Sequence, residues 1–458
     1  MIPTPPPYDE NAEKALIGCA LDGKFDAIRS VGVNEEYFNS LQCRKAWSVM
    51  EQLDEEGVAI EADKVSHKVR TLDVDTLRVK DIAEMFDAAP TSSNWAYYAQ
   101  ICSEKRKARK VQQIGLRLAE EAGTTDSVEE LVSAAESEIF TLSDEVARDG
   151  NSRKESFKRV IGMLEDAHEG RQRGVPTGYP SIDKLLGGLR PGQLIVIAAR
   201  PAVGKSALVG NIAANLALKG VPVGFFSYEM SDDELNLRML CSYSDANLIG
   251  DILNGGLPKE QQSDAIHKAV GALPSLMKAP VNINDDGKLT INQLRSVARR
   301  MVKDEGVKLI IVDYIQLIQP SKEDAKAQRH VQIGTITRGL KQMAMELQVP
   351  VLALAQLSRA AEMTEANSNG VRVPNLSMLR ESGSIEQDAD VCGLLYLGDP
   401  RMVEGPNMLM NLRFAKNRAG RQGEVNLVFV RNRIRFDETS KHEHWLNEKA
   451  AQFADSED

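Results

Sequence analysis

Hydrophobic and polar residues alternate along this chain with two different periods. In residues 11–140 the apolar residues recur at helical spacing, first in Ala12–Leu21 and then at Trp47, Val49, Met50 and Leu53. Further on, Ser127–Glu130 reads S-V-E-E, the pattern of a capping box that opens another helix. This first period predicts a small all-α domain over residues 1–143.

After Gly192 the pattern changes to short apolar runs separated by helical stretches. The helices include Thr290–Lys303, which begins with a Thr290/Gln293 cap, and Ile333–Leu347. Apolar strands that alternate with helices predict a parallel sheet covered on both faces. Because the last strands follow one another without helices, we expect an antiparallel edge. The predicted strands are Leu194–Ala199, Val223–Ser227, Leu309–Val312, Val351–Ala355, Val391–Tyr396, Met408–Ala415 and Val425–Val430.

Two polar segments flank this second region. Residues 143–153 predict a linker, and residues 447–458 predict a disordered acidic tail. Between the linker and the first strand, one amphipathic helix carries Phe157, Val160, Ile161, Leu164 and Ala167 on a single face. The pattern alone favours the first helix of the next domain over a helix that docks on a neighbouring subunit.

Composition places the chain among ordinary globular proteins. Its 458 residues suggest two or three domains, with 42% hydrophobic and 27% charged residues. The formal net charge is −10, which at first argues against nucleic-acid binding. However, residues 1–143 hold 16 basic and 26 acidic residues, whereas the remainder holds 40 of each. The whole acidic excess therefore lies in the first third, and the two parts are expected to have different partners.

Other sequence features exclude several classes of protein. No apolar run approaches the roughly 18–20 residues of a membrane span, and the N-terminus lacks the basic and apolar regions of a signal peptide. The five cysteines form no CxxC, and the six histidines form no HExxH. We therefore expect a protein of the reducing cytoplasm, with neither a disulfide framework nor a zinc site.

The strongest chemical signal is Ala199–Ser206, which lies between a predicted strand and an apolar helix. This is the context of a phosphate-binding loop, where backbone N–H groups cradle a triphosphate. Lys205 would reach the β- and γ-phosphates, and the Ser206 hydroxyl would bind Mg²⁺. Ala199 replaces the first glycine of the motif, so the turn there must suit an L-residue. The alternative is a simple strand-to-helix turn. The predicted nucleotide-binding residues are Ala199, Arg200, Pro201, Ala202, Val203, Gly204, Lys205, Ser206 and Ala207.

Three polar residues at the carboxyl ends of predicted strands fit around that triphosphate. Glu229 could orient and deprotonate an attacking water, although an acidic residue in the first turn of a helix is the simpler interpretation. Asp313 ends an apolar strand, as expected of a carboxylate that holds Mg²⁺ through water, and Gln356 could contact the γ-phosphate. Ligands bind at these ends in parallel sheets.

A basic cluster, Lys416-Asn-Arg418, follows the strand Met408–Ala415. A forked arginine can stabilise the charge that develops on a transferred phosphoryl group. Residues 401–435 contain eight basic residues against Glu404 and Glu424, and a solvated charged face is the alternative explanation.

These residues and several further segments resemble the DnaB-type replicative DNA helicases over nearly the full length of the chain. The most specific matches are Leu354–Arg359, the segment Leu379–Asp390 and Lys416-Asn-Arg418, because a bare phosphate-binding loop occurs in many families. The other matching segments are Asn11–Glu13, Thr177–Gly192, Ala199–Ser206, Phe226–Met230 and Val312–Leu317. The family tolerates alanine at position 199, and Ser206 stands where threonine is common.

The resemblance implies an α/β RecA-like P-loop motor with a small all-α N-terminal domain, in a homohexameric ring that binds ATP between subunits. Lys205, Ser206, Glu229, Asp313 and Gln356 would act from one subunit. Lys416 and Arg418 would act from the next, Arg418 as the arginine finger. The helix at Phe157–Ala167 would pack on a neighbouring subunit, and the resemblance therefore favours the docking helix over the first helix of the next domain. The implied boundaries are 1–143 for the collar, 144–175 for linker and linker helix, 176–446 for the motor and 447–458 for the tail.

The resemblance also implies that the ring moves 5′–3′ on single-stranded DNA in its central channel. Arg380 would bind a phosphate with Glu381 and Gly383 beside it, although Arg380 and Glu381 could simply pair with each other. A primase and a helicase loader are the expected partners. The N-terminal region matches more weakly than the motor, as in phage-encoded members, so the compartment is the cytoplasm of a bacterium or of a phage host.

Two other functions share some of these features. A RecA-like recombinase that forms filaments would use the same phosphate-binding loop and carboxylates. An adaptor that loads another helicase would need neither ring formation nor DNA-stimulated hydrolysis. The helical collar and the segment Arg380–Gln387 argue against the recombinase.

Overall fold

The computed structural model describes residues 5–72, 76–124, several residues between 128 and 139, 153–169, 174–259, 262–321, 324–358, 370–379 and 383–449. The chain divides into two compact units, Met1–Arg159 and Val160–Asp458. The predicted cap at Ser127–Glu130, nearly all of the predicted linker 143–153, and residues 450–458 lie outside the described residues.

The described part of the first unit consists of helices and turns, which confirms its predicted all-α character. Trp47 is fully buried there and packs against Phe25 and Phe38. Asp9 and Ser40 cap two of the helices with their side-chain oxygens. The helices are α1 (Glu10–Leu21), α2 (Phe25–Ser30), α3 (Leu41–Glu55), α4 (Ala62–Leu72), α5 (Val79–Asp87) and α6 (Trp95–Glu121).

Glu13 is a charged residue at the centre of this helical unit. Its carboxylate accepts from the backbone N–H groups of Asn39 and Ser40 and lies 3.7 Å from Arg109. Burial raises the pKa of Glu13, and these hydrogen bonds and the arginine oppose that rise. The matching segment Asn11–Glu13 therefore serves the packing of this unit.

Helix α7 (Arg153–His168) confirms the predicted amphipathic helix. Four of its apolar side chains, at positions three or four residues apart, are 46–63% exposed. Much of the described apolar surface of α7 is thus exposed to solvent. These side chains belong to Phe157, Val160, Ile161 and Leu164.

The second unit is built on one sheet, in which the structure describes ten strands: β1 (Leu194–Ala199), β2 (Val223–Ser227), β3 (Val281–Asn284), β4 (Leu309–Asp313), β5 (Val351–Gln356), β6 (Val391–Leu397), β7 (Val403–Glu404), β8 (Asn407–Asn417), β9 (Gly423–Val430) and β10 (Arg435–Glu438). Their order in the sheet is β10-β9-β8-β6-β1-β5-β4-β2-β3, with β7 paired to β8. Strands β6 to β3 of this order run parallel, whereas β7, β8, β9 and β10 pair antiparallel at one end. This confirms both the parallel sheet and its antiparallel edge.

Helices cover both faces of this sheet, because successive residues of a buried strand point to opposite sides. Ile195 and Ile197 pack with the helix Lys205–Ala217, whereas Val196 and Ala198 pack with the helices Ile291–Asp304 and Arg329–Leu347. The two cores explain why the strands read as continuous apolar runs. The helices are α8 (Pro180–Leu186), α9 (Lys205–Ala217), α10 (Asp232–Ser244), α11 (Ser263–Leu276), α12 (Ile291–Asp304), α13 (Arg329–Leu347) and α14 (Gly383–Asp388).

The structure differs from the predictions at a few elements. Strands β3, β7 and β10 were not predicted, because they are short and rich in polar residues. Residues 443–449 are helical, so the prediction of a disordered tail is wrong for Asn447–Lys449. Lys449 lies 3.5 Å from Glu404, an ion pair that ties this helix to β7. The predicted cap of α12 is confirmed, since Thr290 and Gln293 form a capping box.

Candidate nucleotide site

The loop between β1 and α9 turns through two residues with positive φ, Ala202 (64°) and Gly204 (101°). A Cβ atom at Gly204 would lie 3.1 Å from the Phe436 ring, so this position requires glycine for both conformation and space. Ala199 is the last residue of β1, where the backbone is extended. Alanine is therefore tolerated at the first position of the motif because the left-handed residues come later.

Lys205 begins α9, and its ammonium group lies among polar and aromatic groups from two neighbouring strands. Its Nζ atom is 3.3 Å from Asp313 Oδ1 and 3.7 Å from Glu229 Oε2. The same atom lies 3.7 Å from the centroid of the Tyr314 ring, a cation–π contact. The structure thus brings Lys205, Glu229 and Asp313 together, as the sequence predicts.

A local turn presents Glu229 at the end of β2. The Ser227 hydroxyl accepts from the Met230 N–H and donates to the Met230 carbonyl, which closes the turn around Glu229. The Glu229 side chain is 51% exposed. A half-exposed carboxylate on an ordered turn can orient a water molecule near Lys205 and accept its proton.

Asp313 is fully buried at the end of β4, and its Oδ2 atom accepts no hydrogen bond. A buried carboxylate oxygen without a donor is costly, so it fits a ligand that supplies positive charge or hydrogen bonds. The Ser206 hydroxyl belongs to the first turn of α9, next to Lys205. Oxygen donors of this kind suit Mg²⁺. Burial raises the pKa of Tyr314, and the negative charges of Glu229 and Asp313 raise it further.

Gln356 ends β5 directly opposite Ala199 in the parallel register. Gln316 holds this strand end, because its side chain accepts from the Gln356 N–H at 3.2 Å. Gln316 and Tyr314 were not predicted as site residues. Both lie in the matching segment Val312–Leu317, so the segment was the available signal, although its spacing alone does not specify their contacts.

The remaining residues of the loop have different surroundings. Arg200 donates to the Leu357 carbonyl at 2.8 Å, which ties the loop to the end of β5. Pro201 and Val203 line a neighbouring cavity of about 500 Å³, together with Tyr396. Ala207 is buried in the core beneath the loop. The side chains of these neighbouring residues therefore have different roles: one holds the loop to β5, two line a cavity and one packs in the core.

Lys416 and Arg418 lie at the opposite end of the parallel strands, where β1 and β6 begin. Asn417, between them, pairs with Val391 at the start of β6, whereas the phosphate-binding loop leaves β1 opposite Leu395. Four residues along β6 separate these two positions, which corresponds to about 13 Å. The structure therefore does not bring Lys416 and Arg418 to the phosphate site of their own chain.

Both cations contact the C-terminal end of α14. Lys416 donates to the carbonyls of Glu386 and Gln387, and Arg418 donates to the carbonyl of Gln387. Cations are favoured at helix C-termini. Burial and the nearby Arg418 charge lower the pKa of Lys416.

Several of the other basic residues of 401–435 pair with carboxylates in the described structure. Arg433 and Arg435 both bind Asp245, and Arg435 also binds Asp437. Arg401 pairs with Asp399. Much of this basic stretch stabilises the fold instead of offering free charge.

The residues predicted to contact DNA are only partly described. Arg380 and Glu381 lie outside the described residues. Gly383 begins α14 and is exposed, and a Cβ atom added there would meet no atom within 4 Å. Nothing within the described part of the chain therefore requires glycine at this position.

Comparison with known proteins adds family relationships to this geometry. The family model described as "DnaB-like helicase C terminal domain" matches residues 174–438, and "DnaB-like helicase N terminal domain" matches residues 5–104. The replicative DNA helicase DnaC of Bacillus subtilis (strain 168) is 32% identical over 443 residues, covering 94% of each chain. The replicative DNA helicase DnaB of Geobacillus stearothermophilus is 32% identical over 449 residues, again covering 94% of each.

Two solved structures are similar to this fold. One, described as a DnaB-like replicative helicase and its interactions with primase, has a TM-score of 0.70 and 27% identity, covering 94% of this chain and all of the other. The second, described as an ATPase domain, has a TM-score of 0.57 and 32% identity, covering 63% of this chain and 99% of the other. Within the described residues, no helix is both long and apolar enough to cross a membrane.

Proposed function

Because this chain belongs to the DnaB-like replicative helicase family, we propose that it works as a ring-shaped homohexamer that moves 5′–3′ on single-stranded DNA. It is an ATP-hydrolysing DNA helicase with a helical N-terminal domain and a RecA-like motor domain. The proposed parts are a collar at 1–143, a linker with its helix at 144–175, a motor at 176–446 and a tail at 447–458.

Within one subunit, the residues around Lys205 bind and orient the triphosphate. The backbone N–H groups within Ala199–Ala207, apart from Pro201, which has none, and the Lys205 ammonium hold the phosphate oxygens. Gln356 contacts the terminal phosphate. Glu229 orients the attacking water and takes its proton. Ser206 and Asp313 would hold Mg²⁺, which neutralises charge on the phosphates when it is bound. The buried, unpartnered oxygen of Asp313 supports this assignment.

Lys416 and Arg418 act on the ATP of the neighbouring subunit, with Arg418 as the arginine finger. This proposal rests on their position at the beginning of the parallel strands, whereas Lys205 lies beyond the end of β1. A residue that cannot reach its own site stabilises phosphoryl charge only in trans. Hydrolysis then changes a contact between two subunits, which couples the chemistry to their movement.

The open apolar face of α7 supports its role as the linker helix that packs on a neighbouring subunit. Another apolar stripe is exposed on α11 and just beyond it, at Ile266, Val270, Leu273 and Met277. Two exposed helical stripes on the same chain can cover each other only between copies or after rearrangement. We propose that α7 of one subunit covers this stripe on the next.

DNA and protein partners follow from the family. We propose that single-stranded DNA lies in the central channel, where Arg380 binds its backbone beside Glu381 and Gly383. A primase and a helicase loader are the proposed protein partners, and the cytoplasm of a bacterium, or of a host if a phage encodes the chain, is the proposed compartment. The primase interaction of the similar solved structure supports the first of these partners.

Mixing variant subunits tests catalysis across the interface. Arg418→Ala and Glu229→Ala should each reduce ATP hydrolysis to a small residual rate when assembled alone, because each removes one side of every site. Mixed rings contain some interfaces with both wild-type residues, so partial hydrolysis should return at intermediate ratios. Absence of rescue at every ratio, with mixed rings present by mass, would count against catalysis in trans.

Strand displacement separates the helicase from its two rivals. The chain should displace a strand from a forked duplex and assemble as a hexamer with ATP, measured by native mass with and without single-stranded DNA. DNA-stimulated hydrolysis with filaments and no displacement would favour a recombinase. A chain that neither forms rings nor hydrolyses ATP would favour a loading adaptor.

A further inference from the structure

Asp390 lies between the end of α14 and the start of β6, and it is 7% exposed. Its Oδ2 atom accepts from the Leu194 N–H at 2.8 Å and from Lys341 Nζ at 2.7 Å. The Lys341 ammonium also donates to the Gly192 carbonyl. Asp390 therefore joins α13, the start of β1 and the start of β6, at the same end of the strands as Arg418.

Arg418 contacts Asp390 through both its backbone and its side chain. The Arg418 N–H donates to the Asp390 carbonyl at 2.9 Å. The guanidinium Nη1 atom lies 3.6 Å from Asp390 Oδ1, while the arginine side chain remains 51% exposed. Asp390 thus holds the main chain of the arginine by a hydrogen bond and its guanidinium by an ion pair, while the guanidinium also donates to the Gln387 carbonyl.

We propose that Asp390 is a positioning residue for Arg418, which rests on the proposed action of Arg418 on a neighbour's ATP. A free arginine side chain samples many rotamers, and a charged partner restricts them. Asp390 restricts the guanidinium before ATP arrives, because Lys341 and the Leu194 N–H fix its own carboxylate. The exposed half of the guanidinium remains available to the neighbouring subunit.

The same contacts allow a purely structural role, and the two roles have different consequences. Leu194 begins β1, and the other end of β1 leads into the phosphate-binding loop of the same chain. A structural defect at Asp390 would therefore weaken nucleotide binding in the same subunit. A positioning defect would instead slow hydrolysis in the adjacent subunit's site and leave nucleotide affinity unchanged.

Asp390→Asn separates these consequences. An asparagine oxygen can still accept from Leu194 and Lys341, whereas its NH₂ group would face the Arg418 guanidinium. We expect kcat for ATP to fall between about tenfold and a hundredfold, with an unchanged Kd for a fluorescent ATP analogue. The matched control is Asp388→Asn, because Asp388 also lies at this helix end but its carboxylate accepts from the Thr337 hydroxyl. The control should retain wild-type kcat.

Subunit mixing supplies a readout that a structural role would not move. Asp390→Asn subunits should recover hydrolysis when mixed with Glu229→Ala subunits. They should not recover it with Arg418→Ala subunits, since the Asp390 and Arg418 defects lie on the same side of the interface. Recovery with Arg418→Ala, a normal kcat, or a raised Kd for the nucleotide would overturn the proposal.

A double variant keeps the test valid if Asp390→Asn is less stable. In an Arg418→Ala background, Asp390→Asn should lower the residual hydrolysis no further, because the group that it positions is absent. A further loss would show that Asp390 acts elsewhere. If Arg418→Ala and Glu229→Ala fail to complement, catalysis in trans itself fails; if they complement and the Asp390 results differ, only this inference fails.

Discussion

The Nζ atom of Lys205 lies 3.3 Å from the Oδ1 atom of Asp313, and both side chains are removed from water. Buried charges of this kind persist only when each has a partner. A triphosphate offers oxygens to the lysine, and a divalent cation offers charge to the aspartate. Binding of a nucleotide at Lys205 would therefore also change the surroundings of Asp313 at the end of β4.

Lys205→Ala should abolish ATP hydrolysis and leave the hexamer intact, because the lysine contacts phosphate and not another subunit. Steady-state hydrolysis and sedimentation of the assembly measure the two effects. Lys219→Ala is a matched control, since Lys219 is exposed just beyond the same helix. Normal turnover by Lys205→Ala would refute the phosphate role.

Asp313→Asn should raise the Mg²⁺ concentration that supports half-maximal hydrolysis by about tenfold to a hundredfold. The amide keeps the shape of the side chain but loses the charge that attracts the cation. Hydrolysis measured across a Mg²⁺ titration tests this. Asp286→Asn, at an exposed position, should leave the titration unchanged. An unaltered Mg²⁺ requirement in Asp313→Asn would exclude Asp313 from the metal site.

Gly204→Ala should destabilise the motor by about 1–3 kcal/mol, because a non-glycine residue is strained at φ 101° and its Cβ would press on Phe436. Chemical denaturation measures the free energy of unfolding. The matched control, Gly210→Ala in the middle of α9, has no atom within 4 Å of the added carbon and should stabilise by about 0.5–1 kcal/mol. Equal effects of both variants would contradict this explanation.

Leu164→Glu should dissociate the ring without unfolding the subunit, because Leu164 is 63% exposed in the single chain. A carboxylate on that face opposes its burial against a neighbouring subunit. Sedimentation velocity measures assembly, and circular dichroism measures folding. The control is Glu165→Gln, at an exposed polar position of α7. A stable hexamer of Leu164→Glu would argue against the docking of α7 between subunits.

Hydrolysis should decline at alkaline pH as Lys416 loses its proton. The pKa of Lys416 lies below its ordinary value of 10.5, because burial and the Arg418 charge disfavour the ammonium form. The charged form is therefore lost at a lower pH than in an ordinary lysine. Lys416→Arg should move this alkaline decline to higher pH, since arginine remains charged. A pH–rate profile that does not differ between the two proteins would exclude Lys416 as its cause.

Much of the sheet was predictable because its strands are buried on both faces. Seven strands read as apolar runs, and the structure confirms each within two residues. In contrast, β10 has the sequence R-F-D-E, in which only Phe436 and Asp437 are buried. Asp437 there accepts from Arg435 and pairs with His442, so its burial depends on charged partners from other positions. Such compensation is not visible in local hydropathy.

The candidate site follows the same division. Glu229, Asp313 and Gln356 were predicted together because carboxyl ends of parallel strands share one edge. The cation–π contact of Lys205 with Tyr314 depends instead on how two chain segments approach, and no spacing in the sequence specifies it. Likewise, Asp390 was part of a matching segment, but its contacts with Leu194 and Arg418 join residues that are distant in the chain.

The sequence by itself determined the all-α and α/β parts, the phosphate-binding loop and the strand ends that surround it, because periodicity and local motifs are written in neighbouring residues. Only the tertiary structure decided at which end of the parallel strands each charged group lies. It separated Lys416 and Arg418 from Lys205, and it joined Arg418 to Asp390. Strand order and register determine these distances, and they arise from packing between segments that are far apart in the sequence.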